Sequence, residues 1–566
     1  VKVPRDKTLA SWALELIEQC EVSRADRISQ LGTWRSYYWR GTDFGEGARY
    51  NKIFSHIDRL ASFLFSADDV RFSISYDTVL GEPYHERAAA ASRVLNRDYH
   101  RGGCDLDFAD AVHWALIEAK TFIKTVWGQN EELESWLIHP QFMGVLREDI
   151  DGLDRQEAFV YTTYVTPSEL ARQLVDRDDK DAILARIKAS ANRRSQEEME
   201  EVIAGDALRQ IIIGGINPVQ QVTAATSKNT VIVSQPPMPA IDTKLAAQLI
   251  RVDELWVVDS KRKDWTTIRM VNPGVLLEGD KNKDAAGVIL EGEDKHRNLS
   301  GVEGEQPFSE VCPNRLDNYF WGQSEVITLV ALQDMLNSSI EDVRRITKLQ
   351  ARPPKAFIGF QGLNEQKYKA LNVPDGWISE DTPNAKIERL APEVPPELFQ
   401  QIEKILNWFD EAGGFQPITM GQGEPGVRAG SHAQTLLRTG SPRIRDRALL
   451  VERQCAAHAD FCFKLLQAKD ASVYRSKAKE EFMLSQMLDD YRVTVDSHSG
   501  SPVFSEDMER KAFMLAKAGA IGPAELIMLT RPPQQDILIE HAEARAAAQA
   551  QMLQQHPELA SKGRKR

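Results

Sequence analysis

The stretch Gly421-Gln422-Gly423-Glu424-Pro425-Gly426 matches, letter by letter, the spacing of a loop that cradles a dinucleotide. Glycines at such positions let the backbone approach a pyrophosphate at a helix N-terminus. The surroundings do not suit that chemistry. No long apolar strand leads in, Pro425 interrupts the motif, and the downstream region reads as helix where a second strand ending in an acid is required. No Gly-Lys-Ser/Thr follows, so a triphosphate has no lysine to meet. Ser431 and His432 are neighbours, which on a helix points them about 100° apart and separates a nucleophile from its base. Ser431 reads as a helix N-cap. His-Glu-x-x-His, an Asp-rich calcium loop and a nucleophile elbow are all missing, and the eleven histidines are scattered. The five cysteines are odd in number and form no Cys-x-x-Cys pair. Cys455 and Cys462, seven apart, share one face of an expected helix and read as buried apolar residues. The residues therefore predict no catalytic centre, no cofactor and no metal site; the alternative is a nucleotide-binding enzyme built on Gly421 to Gly426.

A different group of side chains suits contact with a polyanion or a partner. Gln416, Thr419, Gln422 and Arg428 lie in a loop, 413–430, with six glycines and two prolines. Arg344, Arg345 and Lys348 project from one long helix, either toward phosphates or into ion pairs with Glu341 and Asp342. Lys261, Arg262 and Lys263 form the basic tip of an expected hairpin, followed by Trp265. The 70 basic and 83 acidic residues give a net charge of -13, which argues against a surface that grips phosphates tightly. It suits a wall past which a polyanion slides. The aromatic run Trp34 to Trp39 reads as core or subunit contact. The charged run 176–206 reads as a solvated helix face.

These residues need a scaffold. At 566 residues, 42% hydrophobic and 27% charged, the chain is globular in composition and long enough for two to four lobes. Apolar periodicity predicts a helix over 8–40 and a second from Tyr50, then a strand over Arg71 to Tyr76. Two helices follow between Pro83 and Lys120, with strands over 121–127, 133–146 and 158–165. A hairpin is expected over 254–269 and a loop over 279–314. The cleanest helix, 322–349, carries Val326, Leu329, Val330, Leu336, Ile340, Val343 and Ile346 in a stripe and stops at Pro353-Pro354. A helix over 396–412 and a long one from Pro442 to about Lys469 come next. The longest uncharged run, Gln210 to Ser227, contains Asn217, Pro218, Gln220 and Gln221, so no membrane span and a soluble protein are expected. The N-terminus shows charges rather than a signal peptide, and 556–566 reads as a basic flexible tail. The fold class is α+β, mainly helical.

Three segments occur together: Asn318-Tyr319-Phe320-Trp321-Gly322-Gln323-Ser324 opening the long helix, Leu332-Gln333-Asp334-Met335-Leu336-Asn337 within it, and Arg352-Pro353-Pro354 closing it. This pattern resembles the portal proteins of tailed bacteriophages. Aromatic-Gly-x-Ser at the start, Gln near the middle and Asn soon after are features of that family. The resemblance implies a ring of identical subunits, a homododecamer with wing, stem, clip and crown around a DNA channel. It implies a wing over 1–240, a possible first stem helix over 241–252, a clip-like region over 253–315 and a stem helix over 322–352. A wing return over 353–412, a tunnel loop over 413–430, a channel or wing helix over 431–469 and a crown over 470–555 complete it. Gln416, Thr419, Gln422, Arg428, Arg344, Arg345 and Lys348 would then face DNA, and Lys261, Arg262, Lys263 and Trp265 a terminase or adaptor. The implied role is structural, in the virion at a capsid vertex and in the host cytoplasm during assembly. Implied partners are double-stranded DNA, the terminase large subunit, major capsid and scaffolding proteins, and a head-tail adaptor. Another head-tail connector or interaction protein is the remaining alternative.

Overall fold

The computed structural model describes residues 9–42, 50–67, 70–76, 82–128, 130–173, 250–258, 264–271, 288–291, 300–351, 355–358, 386–389, 393–414, 442–469, 473–475, 481–488, 490–495 and 512–523, with a few isolated positions beside them. In chain order these form α1 (Leu9–Cys20), α2 (Arg24–Arg40), α3 (Lys52–Leu64), β1 (Phe72–Tyr76), α4 (Glu82–Arg101) and α5 (Cys104–Glu118). Strands β2 (Thr121–Trp127), β3 (Leu133–Ile138), β4 (Met143–Val145) and β5 (Ala158–Val165) follow, then α6 (Pro167–Gln173). Next come β6 (Ile250–Val258), β7 (Trp265–Val271), β8 (Val288–Glu291) and β9 (Phe308–Val311). The long helix is α7 (Glu325–Ala351); β10 (Lys355–Ile358), β11 (Lys386–Arg389), α8 (Pro396–Gly413) and α9 (Pro442–Ala468) come after it. The last strands are β12 (Val473–Arg475), β13 (Glu481–Met483) and β14 (Tyr491–Val495). Helix and antiparallel sheet are mixed, and among the described residues no helix is long and apolar enough to cross a membrane.

A five-stranded antiparallel sheet in the order β4-β5-β6-β7-β8 makes one layer. Alternation along its strands sends successive side chains to opposite faces. Ala158, Val160, Leu255, Val257, Ile268 and Met270 face α1 and bury its Leu9, Ala13, Leu16 and Ile17. Phe159, Tyr161, Trp256 and Trp265 face the other way and pack with Phe308, Phe122, Phe320 and Trp321. That second face meets a three-stranded sheet, β3-β2-β9, whose back supports the helices. The largest core lies among α3, α4, α5, α7 and α9, where Leu60, Phe108, Leu116, Leu329, Cys455 and Phe463 are all fully buried.

Several expectations are corrected. The helix expected over 8–40 is two, because α1 ends where Cys20 meets the sheet. Gly144 of β4 permits that meeting, since a Cβ there would lie 2.7 Å from the Cys20 carbonyl oxygen. The strand expected over 133–146 is split by a 3-10 turn at Pro140–Phe142. In the β-rich region at 253–315 the described strands join sheets of the body. Its strands continue the sheet begun by β4 and β5, and β9 pairs with β2. Of the possible stem helix at 241–252, residues Ile250 to Val252 begin β6, paired with β5, and 241–249 lie outside the described residues. Within 470–555, the segment expected as a crown, β14 pairs with β1 over Phe72↔Val495 to Tyr76↔Tyr491. The hairpin over 254–269 is present as β6 and β7.

Gly144 tests the account of the α1 junction. Gly144→Ala should loosen α1 from the sheet at a cost of about 1–3 kcal/mol, the usual penalty of overpacking. Hydrogen exchange of the α1 amides should accelerate while α5 stays protected.

Candidate functional site

Helix α7 is anchored along its first half and carries no buried side chain beyond Ser339, and the residues that open it explain how. Phe320 stacks near Phe122, and the Lys120 ammonium sits 3.6 Å from the Phe320 ring centroid. That ammonium donates to the Phe320 carbonyl at 2.9 Å and pairs with Glu310 at 2.8 Å, so a lysine only 1% exposed has its charge met. Trp321 lies under the Arg27 guanidinium at 3.8 Å and donates its indole N–H to Glu148 at 2.7 Å. Gly322 adopts φ 72°, and a Cβ there would fall 2.5 Å from the Cys312 sulfur. Only glycine fits that turn. Ser324 then accepts from the Val326 amide at 3.1 Å as an N-cap and donates to the Ile117 carbonyl at 2.5 Å, tying the start of α7 to the end of α5.

About two turns along the buried face, Gln333 is fully buried and uses both ends of its amide. Its Oε1 accepts from the Lys52 amide at 3.0 Å, and its Nε2 donates to the Tyr50 carbonyl at 2.9 Å and to Asn337 Oδ1 at 3.0 Å. Asn337 Nδ2 donates to the Gly41 carbonyl at 2.7 Å. The Gln and Asn of the sequence pattern therefore grip both described ends of the α2–α3 connection. Tyr37 adds a hydrogen bond to Asp334 at 3.1 Å.

The first residue of α7, Glu325, is 1% exposed. Arg447 of α9 donates to its Oε2 at 2.8 Å, Asn314 at 3.1 Å, and Arg443 and His56 of α3 stand 3.9 Å away. Burial alone would raise this carboxyl, yet His56, Arg447 and Arg443 outweigh it and hold the pKa at about 2. A cavity of about 360 Å³ opens beside the carboxylate, lined by Asn314, Arg315, Gln323, Thr328, Arg443, Asp446 and Arg447 among others. Beyond Ile340 no residue of α7 is buried. The segment 341–351 is roughly 16 Å of helix at 1.5 Å per residue, and Val343 and Ile346 on it are half-exposed and Leu349 exposed.

Arg344, Arg345 and Lys348 all lie on this segment and are exposed. Arg344 pairs with Glu341 at 3.1 Å, the ion-pair alternative, and leaves Arg345 and Lys348 facing outward. Trp265 is corrected: it is 8% exposed and stands 5.1 Å from Phe159, a core residue of the β layer rather than a docking side chain. Lys261, Arg262 and Lys263 lie outside the described residues, as do Gln416, Thr419, Gln422 and Arg428, the Gly421–Gly426 motif, and Ser431 and His432. Cys455 and Cys462 are buried together as expected. Beside them His458 bridges the hydroxyls of Tyr99 and Thr125 at 2.9 Å each, and burial pushes its pKa down to about 3. Among the described residues no group of His, Cys, Asp and Glu is arranged to hold a metal ion.

Sequence reasoning missed Glu325, Arg447, Lys120 and the fully buried Glu118, which pairs with Arg35 at 2.5 Å and His139 at 2.8 Å. An acid in a first helical turn looks like an ordinary partner for the helix dipole, so nothing in the spacing set Glu325 apart.

No model of a known protein family matches the chain, and no curated protein matches it. Two solved structures cover most of it at low identity. A chain of the virion of a native gene transfer agent particle is 10% identical with a TM-score of 0.38, covering 91% of this chain and 99% of that one. A chain from the neck of an empty gene transfer agent particle is 10% identical with a TM-score of 0.36, covering 85% and 90%. At these scores neither likeness fixes an element or a role.

Two outcomes follow from the anchoring. Gln333→Ala strands the Lys52 amide and the Tyr50 carbonyl and should cost about 2–4 kcal/mol, at about 1–3 for each buried unsatisfied group with partial relaxation. Amide exchange at the start of α3 should report it. For Glu325 the folded pKa lies below the unfolded value of about 4.3. Its contribution is therefore present above that value and lost as pH falls from there toward 2. Glu325→Gln, which leaves Arg447 buried opposite a neutral amide, should be less stable at pH 7 by about 3–5 kcal/mol. It should also show a flatter dependence across that acid interval in urea titrations.

Proposed function

We propose that the chain is a portal-type subunit, one member of a closed ring through which viral DNA enters and leaves a capsid. The observation that carries this reading is the division of α7. Its aromatic-Gly-x-Ser opening, its Gln and its Asn fasten the first half to the body, and beyond Ile340 no side chain is buried, Val343 and Ile346 being partly covered and Arg345 and Lys348 outward. A helix held so firmly at one end and without buried side chains at the other is suited to packing beside copies of itself around an axis.

In this reading the protein performs no chemistry of its own. The ring acts by geometry and charge, as a structural part of a phage-type particle. Arg345 and Lys348, with Arg344 traded between Glu341 and solvent, offer brief contacts to phosphates passing this part of the helix. Brief contacts suit the purpose, because each phosphate held firmly slows sliding. Gln416, Thr419, Gln422 and Arg428 line the channel, and the basic tip Lys261 to Lys263 meets the packaging motor or the tail adaptor. The motor, a terminase large subunit, supplies the ATP hydrolysis; capsid and scaffolding proteins hold the ring at its vertex. A homododecamer is the stoichiometry that goes with the resemblance.

Negative-stain electron microscopy of the purified full chain tests the reading directly. Averaged particles should be closed rings with a central hole wide enough for duplex DNA. Compact monomers or dimers at assembly concentrations would reject the ring and return a ligand-binding role for 421–426 to consideration.

A further inference from the structure

Several exposed arginines of this protein pair with an acid close by: Arg97 with Asp98, Arg101 with Glu132, Arg147 with Asp149 and Arg344 with Glu341. Two helices carry exposed charges that do not. On α9, Arg445, Leu449 and Arg453 are exposed and recur every fourth residue, a ridge turned away from the buried Val451 and Cys455. On α8, Glu403, Asn407 and Glu411 form the same kind of ridge, turned away from the buried Ile405 and Phe409. Among the described residues, Arg445, Arg453, Glu403 and Glu411 have no ion-pair partner.

The two ridges match. Eight residues separate the arginines and eight the glutamates, about 12 Å along each helix at 1.5 Å per residue. Apolar surface accompanies the charges: Leu449 is 39% exposed within the basic ridge, and Phe399 and Trp408, 55% and 43% exposed, flank the acidic one. Bare aromatic and arginine side chains together are the composition of a protein interface. A polyanion would use the arginines of α9, leave Leu449 in water and be repelled by α8. A second copy of this chain offers each ridge its complement. Even the minority charges agree, since the exposed Lys404 beside the acidic ridge and the exposed Asp446 beside the basic one are of opposite sign. We propose that α8 of one subunit docks on α9 of the next, with Glu403 and Glu411 against Arg445 and Arg453 and the aromatic flank of α8 over Leu449. The two ridges are different surfaces, so the contact is head-to-tail and leaves each copy one ridge for the next, the arrangement that closes into a ring. The proposal rests on the ring reading and assigns that ring its seam.

Two charge-reversed full chains test the seam, Arg445→Glu with Arg453→Glu and Glu403→Arg with Glu411→Arg, all at exposed positions and checked for fold by far-ultraviolet circular dichroism. Sedimentation velocity and negative-stain microscopy of the wild-type chain should show rings. Each variant alone sets like charges against one another and should need at least about a hundredfold more protein to assemble. Mixed in equal amounts the two should assemble again, because each supplies the complement that the other lacks. Variants that form rings at wild-type concentrations, or a mixture that stays dissociated, would overturn the seam and leave the ring reading standing; a wild-type chain that never forms rings would overturn both. Rings that persist while the α9 variant loses affinity for duplex DNA would reject the seam in favour of a polyanion contact. Should either reversal fail to fold, the neutral pairs Arg445→Gln with Arg453→Gln and Glu403→Gln with Glu411→Gln decide, since assembly unchanged by both has the same force.

Discussion

A carboxylate taken out of water has to be answered where it sits, and Glu325 imposes that demand at the meeting of α3, α7 and α9. Each element supplies part of the answer: His56 from α3, Arg447 and Arg443 from α9, Asn314 from the segment before α7. Apart from Asn314, the partners come from distant segments of the chain, so the ion cluster can be completed only when α3, α7 and α9 are docked. That makes the junction an all-or-none feature. The apolar contacts around it, Val326 and Leu329 against Ile53 and Ile57, supply burial, while the charges supply register.

The same logic recurs wherever the helical body meets the sheets. Lys120 reaches Glu310 and the Phe320 carbonyl; Lys124 reaches Glu254; Glu21 gathers Arg24 and Arg251; Glu118 holds Arg35 and His139. Lys124 with Glu254 joins the two sheets, and Glu21 with Arg251 joins the α1–α2 turn to the five-stranded sheet. Buried ion pairs contribute less to net stability than well-packed apolar side chains of similar size, yet removing one partner is expensive. A protein laced this way is specific about how its layers stack even where its apolar surfaces would tolerate a slip.

Periodicity made much of this fold legible. The alternation of Arg71 to Tyr76, the stripe of α7 from Val326 to Ile340, and the seven-residue spacing of Cys455 and Cys462 all translate into the faces they indicate. What periodicity does not carry is the identity of the partner. The pattern of Ile250 to Val258 says strand, but only pairing with Ala158 to Val165 reveals that it continues an existing sheet. Likewise Tyr491 to Val495 gives no hint that Phe72 to Tyr76 is its neighbour. The break between α1 and α2 was invisible in sequence because the contact that accompanies it, Cys20 against Gly144, lies more than a hundred residues away. At the candidate site, Gln333 and Asn337 stood out by resemblance, and their task became plain only with the amides and carbonyls they hold. The Glu325 cluster, built from four separated segments, had no local signature.

The junction between β5 and β6 has one more implication. These strands are immediate antiparallel neighbours, paired from Ala158↔Val257 to Val165↔Ile250, so the chain leaves the sheet after Val165 and returns beside the point where it left. Residues 166–249 therefore connect two adjacent backbone positions. The entropy of closing such a loop grows only with the logarithm of its length, about 0.6 kcal/mol for each doubling. Loop-closure entropy by itself therefore sets little limit on the length of polypeptide that joins these two strands.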